Sequence, residues 1–227
     1  MVVPHRDGVP IVRWFAVQAL AMIPPVPLLP TAAPWLDLAG LAVFATSGAL
    51  AAAQRKQTLV TLSFFALITG VGGGTVRDLL IGAPVFWVRD GKVAALCLIV
   101  AMLIWMTPRR WWSGAALDWF DAVGLAAYAA YGAAKALKYG VPPVPAAVMG
   151  VVSACVGGII RDMLAGEPSI LMRPELYVTA AALASASFVT LTALGLDATT
   201  AGLIAATAGF ALRAAAIRWK LALPAYR

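Results

Sequence analysis

The chain repeats one glycine-rich, charged segment, and Arg161 of the second copy follows Arg77 of the first by 84 residues. Residues 72–84 read Gly-Gly-Gly-Thr-Val-Arg-Asp-Leu-Leu-Ile-Gly-Ala-Pro, and residues 156–168 read Val-Gly-Gly-Ile-Ile-Arg-Asp-Met-Leu-Ala-Gly-Glu-Pro. Glycine weakens a helix, and a charge inside a membrane is costly. Because both features occur twice in apolar sequence, they indicate a membrane pathway for ions or small solutes.

The composition places the chain among integral membrane proteins. Of 227 residues, 62% are hydrophobic and 12% are charged, whereas soluble domains are about half apolar and a quarter charged. The net charge of +7 could indicate a nucleic-acid partner, but the basic residues lie scattered at the ends of apolar segments. That distribution is typical of membrane proteins, so no nucleic acid is expected.

Seven apolar segments approach the length of about 20 residues that a transmembrane helix needs. Their connections are short, and we expect a multi-pass, all-α membrane protein with one domain. The predicted segments are 37–54, 59–81, 93–107, 118–138, 145–165, 176–196 and 199–221.

The repeat extends beyond the glycine segment at the same offset. Each unit contains three predicted spans, and an odd number of spans inverts the second unit relative to the first. We therefore predict two inverted repeats, residues 36–116 and 117–198, followed by a seventh helix and short cytoplasmic tail, residues 199–227. The further matches are Asp37, Gly40, Leu41, Gly48 and Arg89 with Asp121, Gly124, Leu125, Gly132 and Arg173.

Residues 1–35 form an N-terminal extension with two interpretations. Arg6 and Arg13 precede a short apolar run, which is loosely typical of a secretory signal peptide. Prolines at positions 24, 25, 27, 30 and 34 exclude a continuous spanning helix. A poorly ordered extension fits equally well, and no function is assigned to this segment.

The basic residues predict the orientation of the chain. With the N-terminus outside, the cytoplasmic side receives most of the arginines and lysines between segments, as the positive-inside rule requires. We expect an inner-membrane protein with its C-terminus in the cytoplasm. The cytoplasmic residues would be Arg55, Lys56, Arg109, Arg110, Arg173, Arg218, Lys220 and Arg227, and the outer ones Arg89 and Lys92.

The first helix of each unit carries glycines at a spacing of eight residues. Gly40 and Gly48 in the first unit, like Gly124 and Gly132 in the second, share one helix face and predict close helix packing. The aspartates Asp37 and Asp121, which open these helices, are expected to be N-caps.

The glycines of the repeated segment predict two helix breaks, at Gly72-Gly73-Gly74 and Gly157-Gly158. A break would leave carbonyl groups available to a cation and N–H groups available to an anion. Backbone of this kind is tolerated in a membrane only where protein or water provides hydrogen-bond partners for its N–H and carbonyl groups. The second copy has Val156 in place of the first glycine, so a milder kink is expected there.

An Arg-Asp pair follows each glycine group. Adjacent helix residues point about 100° apart, so we expect pairing across the repeats. Arg77 would reach Asp162 or carbonyls of the second break, and Arg161 would reach Asp78 or those of the first. Two interpretations stay open and are compatible: pore charges, or buried salt bridges that lock two helices together.

Two lysines break the repeat. Lys135 and Lys138 correspond to Ala51 and Gln54, so they are predicted either to anchor at the membrane interface or to bind lipid or form a charged pore mouth. Cys97 and Cys155 are expected to be buried thiols, because no zinc-type spacing accompanies them. No metal, cofactor or catalytic site is expected, and the chain is predicted not to be an enzyme.

Duplicated three-helix units that each carry Gly-Gly-x-x-Arg-Asp, followed by a seventh helix, resemble the trimeric intracellular cation (TRIC) channels. The resemblance covers residues 37 to about 221 and is closest to prokaryotic members. It implies a homotrimer with one potassium-permeable pore per protomer, lined by the second and fifth helices at their glycines. The only bound species expected are permeant potassium or sodium and lipid, with no soluble protein partner.

Two functions follow from these features. The leading one is a passive cation channel. The alternative is a secondary transporter for a small amino acid such as glycine, as bacterial relatives with this duplicated domain have been described. Broken helices with facing dipoles would suit a zwitterion as well as a cation.

Overall fold

The computed structural model describes residues 34–88, 90–112, 115–172 and 174–224, without the side chains of residues 34–37 and 109. The predicted N-terminal extension lies outside these residues, except for positions 34 and 35. Arg89, Arg173 and Arg227, which contribute to the predicted orientation, also lie outside them.

Seven α-helices make up the described chain, as the sequence predicts, and each lies within a few residues of its predicted segment. Two single-turn 3₁₀ helices, Arg109–Trp111 and Ile170–Met172, lie in the connections. The helices are α1 (Pro34–Gln54), α2 (Leu59–Leu80), α3 (Gly91–Met106), α4 (Ala116–Lys138), α5 (Pro143–Ala165), α6 (Val178–Ala193) and α7 (Ala198–Trp219).

The seven helices differ in how well each suits a membrane. By length and composition, α2, α5 and α7 can each cross one. The 16 residues of α3 and of α6 rise only about 24 Å, against a hydrocarbon core of about 30 Å. Helix α4 is long enough but carries four charged residues. The helices that are short or charged therefore need packing against neighbouring helices to be stable in the bilayer.

Side-chain caps fix the starts of three helices. Thr58, Asp90 and Asp197 precede α2, α3 and α7, and each accepts a hydrogen bond from a backbone N–H of the first turn. The bonds that Thr200 donates to Asp197 lower the pKa of that carboxyl group, because they favour its charged form.

The prediction that Asp121 is an N-cap is wrong. Helix α4 begins at Ala116, so Asp121 lies in its second turn, fully buried. Asp37 likewise falls within α1 rather than before it, and its side chain lies outside the described residues. Asp121 therefore makes a buried contact and does not cap the start of the helix.

The helices pack as two groups of three with α7 on one side. Helices α1, α2 and α3 contact one another, and so do α4, α5 and α6. The groups meet where α1 contacts α4 and α2 contacts α5, while α7 packs on α4 and α6. Small side chains, mostly alanine, fill the buried clusters. This packing suits the predicted three-plus-three-plus-one arrangement, which stays a prediction for the chain as a whole.

The contacts between α1 and α4 confirm the packing role of their glycines. A Cβ on Gly40 would lie 2.6 Å from the Tyr128 ring, and a Cβ on Gly124 would lie 3.0 Å from the Phe44 ring. The two rings pack edge to face with centroids 5.2 Å apart. Each glycine thus receives the aromatic residue of the other repeat.

Both cysteines are free and buried, as predicted. Cys97 lies in the cluster around α1 to α3, and Cys155 lies in the cluster around α4 to α6. They act as small apolar side chains in these two clusters.

Candidate functional site

The predicted unwound helix at the glycines does not occur. Helices α2 and α5 continue as α-helix through Gly72, Gly73 and Gly74 and through Gly157 and Gly158. The carbonyl and N–H groups that a break would expose stay within the helical hydrogen-bonding pattern. These glycines must therefore have another role.

That role is the close approach of α2 to α5. A Cβ on Gly73 would collide with the backbone carbonyl oxygen of Ser153, and a Cβ on Gly157 would collide with that of Thr69. The higher-numbered residue of α2 meets the lower-numbered residue of α5, so the helices run antiparallel where they cross. The two contacts are exchanged by the 84-residue offset, which is the relation that inverted repeats require.

Three neighbouring glycines make room for side chains. A Cβ on Gly74 would lie 2.7 Å from the Phe86 ring, and a Cβ on Gly72 would lie 3.1 Å from Ile160 Cδ1. A Cβ on Gly158 would lie 2.8 Å from the Tyr177 hydroxyl. All five glycines that precede the two arginines, 72–74 and 157–158, thus allow a specific close contact.

The first arginine centre comprises Arg77, Asp78, Tyr131, Lys135 and Ser153. Arg77 donates from Nε and Nη2 to Asp78 Oδ1, at 2.9 and 2.8 Å, and from Nη1 to the Ser153 hydroxyl at 3.0 Å. Its guanidinium carbon lies 5.3 Å from the centre of the Tyr131 ring. Arg77 is 1% exposed and Asp78 is fully buried. This guanidinium is therefore held by residues of α2, α4 and α5.

Asp78 holds a second cation in the same centre. Lys135 Nζ lies 2.8 Å from Asp78 Oδ1 and 2.9 Å from Oδ2. The backbone N–H of Phe86, in the loop after α2, also donates to Oδ2 at 3.1 Å. The Lys135 side chain is 14% exposed, so it is the charged member of this centre that is in contact with the surroundings. The interface-anchor interpretation is therefore wrong for Lys135, because its ammonium group is paired inside the protein.

The second arginine centre comprises Arg161, Asp162, Asp121 and Ser47. Arg161 donates from Nε to Asp162 Oδ1 at 2.9 Å and from Nη1 to Asp121 Oδ1 at 2.6 Å. It also donates to the Ser47 hydroxyl at 3.1 Å. The loop after α5 supplies the Ile170 N–H to Asp162 Oδ2 at 2.9 Å. The arginine, the aspartate and the loop N–H repeat those of the first centre at the same offset. The second centre adds an acid, Asp121, beside its arginine, whereas the first adds a base, Lys135, beside its aspartate.

The predicted Arg–Asp pairing across the repeats is wrong. Arg77 pairs with Asp78 and Arg161 with Asp162, each on its own helix. The long arginine side chain bends back to the next residue, although the two Cβ atoms point in different directions. The contacts of these charged residues that cross between the repeats include the bond from Arg77 to Ser153, the bond from Arg161 to Ser47, and the ion pair of Lys135 with Asp78. The Tyr131 ring beside Arg77 also belongs to the other repeat.

The two centres differ in charge among the described side chains. The first has two cations, Arg77 and Lys135, and one carboxylate, so it carries one positive charge. The second has one cation, Arg161, and two carboxylates, Asp121 and Asp162, so it carries one negative charge.

Sequence reasoning missed the two serines, Tyr131 and the role of Asp121. One signal was present, because Tyr131 follows Ser47 by 84 residues and each contacts the arginine of the other repeat. It also missed Arg213 of α7, which is fully buried, lies over the Tyr177 ring at 5.3 Å and pairs with Glu175 at 2.8 Å.

Lys138, the last residue of α4, is half-buried, and its predicted lipid or pore-mouth role stays a prediction.

The position of each centre follows from its place on its helix. Arg77 is three residues from the end of α2, and Arg161 is four residues from the end of α5. Because these helices are antiparallel, the centres lie at opposite ends of the crossing. A solute that moved along the crossing would pass both.

Comparison with known proteins identifies the family. A family model described as glycine transporter matches the chain twice, over residues 34–109 and 118–193. The chain belongs to this family. The two matches of the glycine transporter model overlap the repeats predicted over 36–116 and 117–198, whose limits stay a prediction.

Bacterial membrane proteins are among the relatives that this chain is similar to. A UPF0126 membrane protein of Vibrio cholerae is 39% identical over 84% of this chain and 81% of its own length. The UPF0126 inner membrane protein YadS of Escherichia coli strain K12 is 37% identical over 85% of this chain and 95% of its own. The chain is therefore a membrane protein, as its composition predicts.

A solved structure confirms the resemblance to prokaryotic TRIC channels. The TRIC trimeric intracellular cation channel orthologue from Rhodobacter sphaeroides is 41% identical, with a TM-score of 0.77 over 82% of this chain and 97% of its own. The all-α membrane fold is thus confirmed. Since the relatives are channels and membrane proteins, the prediction that the chain is not an enzyme is also confirmed.

Proposed function

We propose that this member of the glycine transporter family is a cation channel that conducts potassium along the crossing of α2 and α5. The observation that carries the proposal is the match, in sequence and in fold, to a solved TRIC cation channel over nearly all of that protein. The two buried arginine centres at opposite ends of the crossing support it, because charges at membrane depth mark ion pathways. The channel needs no cofactor.

The described conformation corresponds to a closed channel in this proposal. The backbones of α2 and α5 touch at Gly73 and Gly157, which leaves no space between the helices there. Opening requires α2 to move away from α5. Arg77 and Asp78 would move together, because both belong to α2, whereas the bonds to Ser153 and Lys135 would break.

The assembly is proposed to be a homotrimer in the inner membrane, with one pore per protomer. The N-terminus would lie outside and the C-terminus in the cytoplasm, since Arg55, Lys56 and Arg110 would then lie on the cytoplasmic side. In this orientation the first arginine centre is near the outer face and the second near the cytoplasm.

The second candidate function is secondary transport of glycine or a similar amino acid. The description of the family model favours it. A zwitterion would find one positive and one negative centre along the α2–α5 crossing. The continuous helices weaken this alternative, because it relied on exposed helix termini to bind the carboxylate and the amine.

Purified protein in liposomes separates the two functions. A channel is expected to give unitary potassium currents that rise with concentration without saturating, and no accumulation of glycine. Saturable glycine uptake without unitary currents would instead contradict the channel proposal. Liposomes without protein provide the baseline, and mass measurement of the reconstituted particle tests the trimer independently.

Lys135→Met is expected to keep the fold and to raise the open probability of the channel. The substitution removes the tie between α4 and Asp78, while Asp78 keeps Arg77 and the Phe86 N–H as partners. Single-channel recording gives the open probability, and Lys92→Met, at an exposed lysine in the first turn of α3, is the matched control. Equal open probabilities in the two variants would exclude a gating role for Lys135.

A further inference from the structure

The first repeat contains a pocket of about 320 Å³ near the ends of α1 and α3. This volume is at the lower end of the range of about 300–1,000 Å³ for small-molecule pockets. Its floor is apolar and buried, and its rim is polar and exposed. The floor includes Leu50, Leu62 and Ile104, and the rim includes Gln54, Lys56 and Gln57.

The corresponding place in the second repeat is closed by α7. At the 84-residue offset, six pocket residues correspond to members of the apolar cluster that α7 seals with Ala198, Ala201 and Ala205. In the pocket they are Leu50, Ala53, Ile104, Trp105, Thr107 and Trp112, and in the cluster Ala134, Leu137, Phe188, Val189, Leu191 and Leu196. The pocket therefore lies where a helix like α7 would pack if the first repeat had one.

The side chains around the pocket favour one class of occupant. Trp105 is 51% exposed, and its neighbours Leu98, Met102 and Met106 on α3 are exposed too, so apolar surface borders the opening. Lys56 supplies a positive charge at the rim, and the lining residues include no acidic side chain. Arg110 lies two residues before Trp112, one of the lining residues. An apolar slot with a cationic rim between membrane helices is suited to an anionic phospholipid.

We propose that this pocket binds one anionic phospholipid, with the phosphate at Lys56 and an acyl chain over Leu50 and Ile104. The site is distinct from both arginine centres, and it does not depend on the channel or transporter assignment. It also explains why the first repeat has tryptophans where the second has valine and leucine, since aromatic rings pack well against an acyl chain at the membrane interface.

Native mass spectrometry and thermal unfolding of the whole protein, with phosphatidylglycerol and with phosphatidylcholine, test the proposal. Phosphatidylglycerol is expected to bind and to raise the melting temperature more than phosphatidylcholine. Lys56→Gln is expected to weaken its binding about fivefold. Lys92→Gln is the matched control, since Lys92 is exposed in the first turn of α3, whereas the pocket lies near the other end of that helix.

A second variant tests the pocket without changing the charge at its rim. Ala53→Phe fills the pocket, and it is expected to remove the tightly bound lipid while the protein keeps its mass as an assembly. Equal binding by wild type, Lys56→Gln and Lys92→Gln would mean non-specific lipid only and would overturn the proposal. Loss of the assembly in Ala53→Phe with lipid binding intact would also overturn it, because the pocket would then be a contact between copies.

Discussion

Arg161→Met is expected to lower the free energy of unfolding by about 3–5 kcal/mol, because removing one member of a buried ion pair leaves an uncompensated charge. Arg161 is 1% exposed and contacts both Asp121 and Asp162, so two carboxylates lose their cation. Arg77→Met is expected to lower the free energy of unfolding by less, because Asp78 keeps Lys135 as an ion-pair partner. Unfolding in mixed detergent and dodecyl sulfate micelles measures the difference between the two variants.

Two further variants make this comparison decisive. Arg161→Met combined with Asp121→Asn should recover part of the lost stability, because one of the two unpaired carboxylates is then neutral. Arg55→Met removes an exposed pair with Glu167 and should change stability by no more than about 1 kcal/mol. If Arg77→Met and Arg161→Met prove equally damaging, the inferred difference in charge between the two centres is wrong.

Gly73→Ala is expected to destabilise the protein by about 1–3 kcal/mol or more, as overpacking of a core does. The added methyl group would collide with the carbonyl oxygen of Ser153. A carbonyl group within a helix cannot move away as the end of a flexible side chain can. Gly157→Ala should have a similar effect, because it meets the equivalent oxygen of Thr69. The unfolding measurement described above applies to both variants.

Gly202→Ala in α7 is the matched control for these substitutions. A Cβ there would lie 3.9 Å from the Phe188 ring, an ordinary contact, and alanine has the higher helix propensity by up to about 1 kcal/mol. This variant should therefore be neutral or more stable than wild type. A loss of stability equal to that of Gly73→Ala would show that glycine matters for helix flexibility rather than for the α2–α5 contact.

The sequence predicted the helices and the repeat well, because both depend on patterns along the chain. Apolar segments of suitable length identified all seven helices, and the fixed offset identified Gly73, Gly157, Arg77 and Arg161 as special. The same offset indicated close packing at Gly40 and Gly124, where each glycine meets an aromatic ring of the other repeat.

The partners of the charged residues could not be predicted in the same way. The direction of the Cβ does not determine where the guanidinium group of a long arginine side chain lies, so the pairing of Arg77 with Asp78 was missed. The choice also depends on loops, because the N–H groups of Phe86 and Ile170 hold Asp78 and Asp162 from eight residues away. The glycines were interpreted as breaks because sequence alone does not show that a second backbone lies against them.

The α2–α5 crossing is self-complementary, because each helix presents the same glycine and the same carbonyl to the other. Contacts of this kind are typical of symmetric dimers. An ancestral chain of half this length could thus have assembled as two copies inserted in opposite orientations. Fusion of the copies would have allowed their ends to diverge. One end now carries Lys135 beside an Arg-Asp pair, whereas its counterpart in the first repeat is Ala51, a difference that two identical subunits could not have had.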